Sequence, residues 1–281
     1  MTIIDGHTHI FPPDVRSQRD SFFDNEPEFE LLYRSATSKM AGADETVAMM
    51  DQHGVERAVV MGFPWRAIET ARRHNDYIME AVGRHPTRLI GFCCFDALHP
   101  QAATETQRCL EAGLSGIGEL AFYSSGIDGR CLDALDPVMA LARQHRCVVM
   151  LHTNEPVGHQ YPGKSPNTLS QIYNLAKRFS DNRLILAHWG GGIFLYSLLK
   201  KEIRQVLSNV WFDTAASPYL YHVQIYRQAI DLAGLEKILL GSDYPLLKPD
   251  RYIKEMEAAG LDQTQRNAIC GTNIAKLLNL G

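Results

Sequence analysis

The chain has 281 residues, is 45% hydrophobic, and carries 28 Lys+Arg against 32 Asp+Glu for a net charge of −4. That apolar content excludes a disordered chain, the missing basic run excludes a duplex-binding electrostatic surface, and no apolar run reaches transmembrane length. Six cysteines without Cys-x-x-Cys spacing sit mostly inside apolar runs, which suits small core residues in a reducing compartment. With the first strand beginning by Thr2 there is no room for a signal peptide before it, so a cytoplasmic protein is expected.

The first strand is expected at 3–6, running into His7-Thr8-His9. Residues two apart on an extended chain face one side, so Asp5, His7 and His9 share a face and two imidazoles converge at the strand's end. Imidazole is the commonest transition-metal ligand, and two on one strand pre-form half a site. Further buried strands are expected at 58–62, 89–95, 115–120, 147–152, 184–188, 210–213 and 238–242, as apolar runs that mostly do not alternate. Helical patterns separate them, at 44–53, 67–84, 104–112, 135–145, 168–179, 194–207, 223–233 and 252–259, and a last helix at 263–280 closes the chain.

Eight strands alternating with helices is the count of a (β/α)8 TIM barrel, an α/β fold read here as a single domain over 1–281. A doubly wound open sheet competes. Polar residues ending strands one, four, five, six and eight can converge only if the sheet closes, so the barrel is preferred. Long loops follow strand one (12–43) and strand five (153–167). Both leave C-terminal strand ends, the catalytic face of a barrel. The second is stiffened by three prolines and carries His159, Tyr161 and Lys164, which could reach a substrate.

Four of the 11 histidines, His7, His9, His152 and His188, end strands. Asp243 ends another, where a carboxylate is costly to bury unless paired or metal-bound. Its plain alternative is an N-cap, a task better suited to Asp250. Glu119 sits in Gly-Ile-Gly-Glu-Leu at the end of strand four, as metal ligand, bridge, orienter of a histidine or structural ion pair. No lysine occupies that strand, so a carboxylated-lysine bridge is not available. Gly190-Gly191-Gly192 follows His188-Trp189. It could offer bare N–H groups to an anion or simply make a tight turn. Trp189 and Trp65 could wall a pocket or pack in the core, and Asp213 is a weaker candidate to orient a ligand.

The motifs Asp5-Gly6-His7-Thr8-His9, Leu186-Ala187-His188-Trp189-Gly190-Gly191, Gly241-Ser242-Asp243-Tyr244-Pro245 and the closing Gly271-Thr272-Asn273-Ile274-Ala275-Lys276-Leu277-Leu278 together resemble the amidohydrolase superfamily. Over nearly the whole chain they look most like its amidohydrolase-2 branch, which holds aminocarboxymuconate-semialdehyde decarboxylase, resorcylate-type decarboxylases and lactone hydrolases. The resemblance implies one divalent ion, expected to be zinc, on His7, His9, His152 and Asp243, with room for a second on Glu119. It implies that His188 acts as acid/base or polarises the substrate. Such a metal lowers the pKa of bound water to about 7. Asp243 could take that water's proton and His188 could protonate a leaving group.

The first expectation is therefore a metal-dependent hydrolase acting on an amide, lactone or ester of a small carboxylate-bearing substrate, held by His159, Tyr161, Lys164, Trp189 and Gly191. The alternative is a non-oxidative decarboxylase of an aromatic or muconate-like acid. A TatD-like nuclease fits the acidic balance less well, and a barrel that only binds metal is the inert alternative. The expected partner is a small molecule, with no nucleic acid or membrane, and with homo-oligomerisation left open.

Overall fold

The computed structural model describes residues 2–280. Eight parallel strands, β1 (Ile4–His9), β2 (Arg57–Met61), β3 (Leu89–Cys93), β4 (Gly116–Leu120), β5 (Val148–Leu151), β6 (Arg183–Leu186), β7 (Val210–Asp213) and β8 (Ile238–Leu239), pair in sequence order. The circle is completed by Gly6 N to Leu240 O at 2.8 Å, His9 N to Tyr244 O at 2.7 Å and Asp243 N to His7 O at 2.9 Å. The open sheet is thereby excluded, and the fold is a (β/α)8 barrel.

Side-chain alternation along the strands explains the two layers of core. Val59, Met61, Ile90, Phe92, Val148, Met150, Ile185 and Leu239 fill the barrel, and Ile274 and Leu277 of the terminal helix Asn273–Leu277 join them. The opposite faces, including Ala58, Val60, Ile117, Val149, Leu151, Leu184 and Leu186, pack outward in a second cluster with residues of the helices. Gly116 is required by this packing, because a Cβ there would meet the Phe92 ring at 2.5 Å.

Two strands are irregular. Register shifts fall between Asp5 and Thr8 on β1 and between Ile117 and Leu120 on β4. A bulge re-aims side chains at a barrel rim, and these two flank His7 and Glu119.

Three expectations change. The segment 12–43 is not a bare loop: it holds helices Pro13–Ser17 and Pro27–Tyr33, each with proline at its start. The helix expected at 194–207 is replaced by tight 3-10 turns over His188–Leu198 and a short helix Glu202–Val206, since Trp189 and Gly190 to Gly192 all take positive φ. The last helix is interrupted by a π-turn at Ala268–Thr272. Among the described residues no helix is long and apolar enough to cross a membrane.

Candidate metal centre

His7 and His9 leave β1 side by side, with their Nε2 atoms 3.1 Å apart. Two nitrogens each 2.0–2.1 Å from one tetrahedral ion stand roughly 3.3 Å apart, so this spacing fits two ligands of a shared cation. Each ring is fixed from behind. His7 Nδ1 lies 2.8 Å from Asp213 Oδ2, and His9 Nδ1 donates to the Gly62 carbonyl at 3.1 Å. Committing Nδ1–H to an acceptor leaves Nε2 with its lone pair toward the site, as metal-binding histidines require. Asp213 also accepts from His188 N at 2.9 Å and Ala215 N at 3.0 Å, so one carboxylate aligns β1 with the turn after β6. Asp5, although expected on the same face, is fully buried beside β8. There it accepts from Ser242 N at 2.9 Å and from the Ser242 hydroxyl.

Glu119 is the hub. Its Oε2 lies 3.6 Å from His7 Nε2 and 3.7 Å from His9 Nε2. Its Oε1 lies 3.0 Å from His152 Nδ1 and 3.4 Å from His188 Nε2. Asp243 Oδ1 approaches the first pair, at 3.9 Å from His7 Nε2 and 3.6 Å from His9 Nε2. His188 Nδ1 is turned to the Ala215 carbonyl at 3.0 Å, which sends Nε2 inward. His152 is reversed: its Nε2 donates to the Gly163 carbonyl at 2.9 Å, and Nδ1 faces the site. The four residues expected around one ion are thus divided. His7, His9 and Asp243 meet on one side of Glu119, and His152 stands with His188 on the other.

The charges are mutually dependent. Burial works against a charge on His7, yet the Glu119 and Asp213 carboxylates hold its pKa well above the usual value. Burial likewise opposes charge on His188, and Glu119 outweighs it, pushing the pKa up to about 9. His9 is lowered, by burial and then by the neighbouring His7. Burial would raise Glu119, but the His152 and His7 imidazoles keep it well below the ordinary carboxylate range. A field that retains protons on imidazoles is also one that attracts a divalent cation.

The cluster opens into a cavity of about 570 Å³. His9, Glu119, His152, His188 and Asp243 form its floor, and His159 and Tyr161 lie on its wall, as does Gly163. Three residues expected to bind substrate are elsewhere. Lys164 is tied to Glu155 at 3.0 Å and to the carbonyls of Val157 and His159. Trp189 is fully buried, with Nε1 on Ser217 Oγ at 3.0 Å and its ring edge-on to Tyr226. Gly191 lies under the chain with φ +61, where a Cβ would meet Asn154 O at 2.5 Å. The glycine run is therefore a tight buried turn. Trp65 is also core, with Nε1 donating to His74 Nδ1 at 2.8 Å.

Residues the sequence did not single out complete the cavity. Tyr33 and Leu32 come from the 12–43 segment, Phe63 follows β2 and Tyr123 follows β4. Phe63 and Tyr123 stack with only 9° between their planes, and Tyr123 lies 5.1 Å from the His152 ring. The available signal was position: both aromatics sit just beyond C-terminal strand ends.

A family model described as Amidohydrolase matches residues 4–280. The gamma-resorcylate decarboxylase of Polaromonas sp. is 34% identical, over 84% of this chain and 87% of that protein. Among solved structures, 5-carboxyvanillate decarboxylase from Sphingomonas paucimobilis shares the fold, with a TM-score of 0.78, 18% identity and coverage of 100% and 99% of the two chains. A dihydroxybenzoic acid decarboxylase from Polaromonas sp., solved with bound manganese and the inhibitor 2-nitroresorcinol, aligns with a TM-score of 0.73 and 20% identity over 99% and 97%.

Proposed function

The chain belongs to the amidohydrolase family, and from that premise we propose that it is a metal-dependent, non-oxidative decarboxylase of a planar aromatic acid. The observation that carries this reading is the wall beside the cluster, where Phe63 and Tyr123 present parallel faces next to His152. The two rings stack on each other with centroids 6.4 Å apart, which leaves no space for a ring between them, so a flat substrate ring would lie against the exposed face of this wall. The 34% identity to a gamma-resorcylate decarboxylase supports the same chemistry. The hydrolysis expected first from the sequence gives way to it, since the relatives named above are decarboxylases.

His7, His9, Asp243 and Glu119 would hold a divalent cation, and His152, expected beside them, stands across Glu119 with His188. The 3.1 Å Nε2 pair and the surrounding carboxylates fit one. When bound it would anchor substrate oxygens and offset their negative charge. Manganese, bound in the dihydroxybenzoic acid decarboxylase named above, is as good a candidate as the expected zinc.

His188 turns its Nε2 into the site, 3.4 Å from Glu119 Oε1, with Nδ1 on the Ala215 carbonyl, which makes Nε2 the nitrogen that would carry a proton to the substrate. In the proposed step that proton passes to the ring carbon bearing the carboxylate, and a C–H bond forms. The C–C bond then breaks, its electrons return to the ring, and carbon dioxide leaves. Solvent reprotonates His188. Tyr33 and Tyr123 line one side of the cavity. Lys39 is the single Lys or Arg among the described lining residues, too little positive charge for a polyanion such as nucleic acid.

The test is carbon dioxide release from a panel of hydroxybenzoates by protein loaded with manganese or zinc, run beside a panel of amides, lactones and esters. Decarboxylation with no hydrolysis is expected. Hydrolysis without carbon dioxide release would overturn the proposal.

A further inference from the structure

The cavity is too large for the ring alone. A benzene ring fits in ~150 Å³, and this space is about 570 Å³. Beyond the aromatic wall it is bounded by Leu32, Tyr161, Pro162, Leu220 and Leu246, contributed by four separate segments. Two contacts bridge these segments. Leu32 Cδ2 lies 3.9 Å from the Cβ position of Gly163, which brings the two long loops together, and Lys39 Nζ donates to the Leu246 carbonyl at 3.3 Å. An apolar chamber beside an aromatic wall calls for a ligand with the same two parts.

We infer that the substrate is an aromatic acid bearing an extended apolar substituent, with the ring against Phe63 and Tyr123 and the substituent in the chamber under Leu32, Leu220 and Leu246. The inference rests on the decarboxylase reading for the chemistry and on the cavity for the substituent. An alkyl chain in such a chamber gains about 0.8 kcal/mol per buried methylene, which is roughly fourfold in affinity. Ser38, Lys39 and His159 are the polar groups on the same walls, among mostly apolar neighbours.

The experiment uses two series with the metal-loaded protein. Dissociation constants are measured by calorimetry for resorcinol carrying a methyl, propyl or hexyl group opposite the position between the hydroxyls. Carbon dioxide release is measured for the corresponding dihydroxybenzoates. Affinity should tighten roughly threefold to fourfold per methylene, at least from methyl to propyl. Leu246→Asp, at a side chain 41% exposed and so tolerant of change, should flatten that dependence. Constants that stay level or weaken with chain length overturn the inference, even if the short acid is decarboxylated. Tightening without any carbon dioxide release supports the chamber and removes the decarboxylase reading instead.

Discussion

The floor of the site and its roof are built by opposite means. On the floor, His7, His9 and His188 each have one ring nitrogen committed to a fixed acceptor, Asp213, the Gly62 carbonyl or the Ala215 carbonyl. Those acceptors lie on or just beyond barrel strands. The roof is made of the 12–43 and 153–167 segments, held by contacts such as Glu155 with Lys164 and Tyr161. The exception is His152, a floor residue whose Nε2 is held by the roof carbonyl of Gly163. Strands fix where charge sits, and loops decide what shape meets it. Substitutions on the floor should therefore remove metal or chemistry, and those on the roof should change substrate preference and little else.

The largest expected effect is at His188. His188→Asn should lower carbon dioxide release roughly a hundredfold or more, the usual weight of a general acid, with metal content unchanged by elemental analysis. Near-normal turnover would make His188 structural and would weaken the division between floor and roof.

Next is His74, which supports the chain just past His9. It takes the Trp65 Nε1–H on Nδ1 and donates from Nε2 to the Ile10 carbonyl at 2.7 Å. A second proton would face the Trp65 donor. Burial is the main reason its pKa falls to about 4. The unfolded chain binds this proton near pH 6.5 and the folded chain only near 4. The stability from neutral His74 is therefore present above 6.5 and lost as pH falls through about 4, in total about 3 kcal/mol. His74→Gln lacks this dependence, so the stability gap between wild type and variant should narrow by that amount between pH 7 and 4. Denaturant titrations at the two pH values measure it. Asp5, pushed up to about 6 by burial, works in the opposite direction but in both proteins, and cancels in the difference.

Asp213→Asn should weaken manganese binding by roughly 10–100-fold, the usual cost of removing a partner that orients a liganding histidine. Equilibrium dialysis reads this. Unchanged affinity would mean that the backbone alone orients His7.

The smallest effect belongs to the roof. Lys164→Met strands Glu155 in a pair whose lysine side chain is only 4% exposed, so it should destabilise the roof yet leave metal content alone. A large loss of metal would show that the roof holds the cation as firmly as the strands do.

These contrasts also explain what could be read from residue order. Apolar runs that stop on His152, His188 or Asp243 announce a barrel rim, because a polar group ending a buried strand must face something. The Glu119 hub was harder to see. Its reach to four imidazoles depends on the irregularity of β4 between Ile117 and Leu120, where Gly118 takes φ +129. Asp213 was legible as a candidate to orient a ligand, but which ring it orients was not. Asp213 stands 206 residues from His7, and Gly62 stands 53 from His9. Trp189, Gly191 and Lys164 misled for a physical reason: successive positive φ values turn the first two under the chain, and an ion pair draws the third aside. Tyr33, Phe63 and Tyr123 resemble ordinary core aromatics until the strands are arranged in a circle.

The claim on which the account stands is that side chains of β1 share a cation with Glu119 and Asp243. Equilibrium dialysis of purified protein against manganese, wild type beside His9→Ala, tests it most directly, because His9 is partly exposed and its loss leaves the barrel intact. Stoichiometric manganese on the wild-type chain and almost none on the variant is the predicted result. Full manganese on His9→Ala, or none on the wild type, would contradict it.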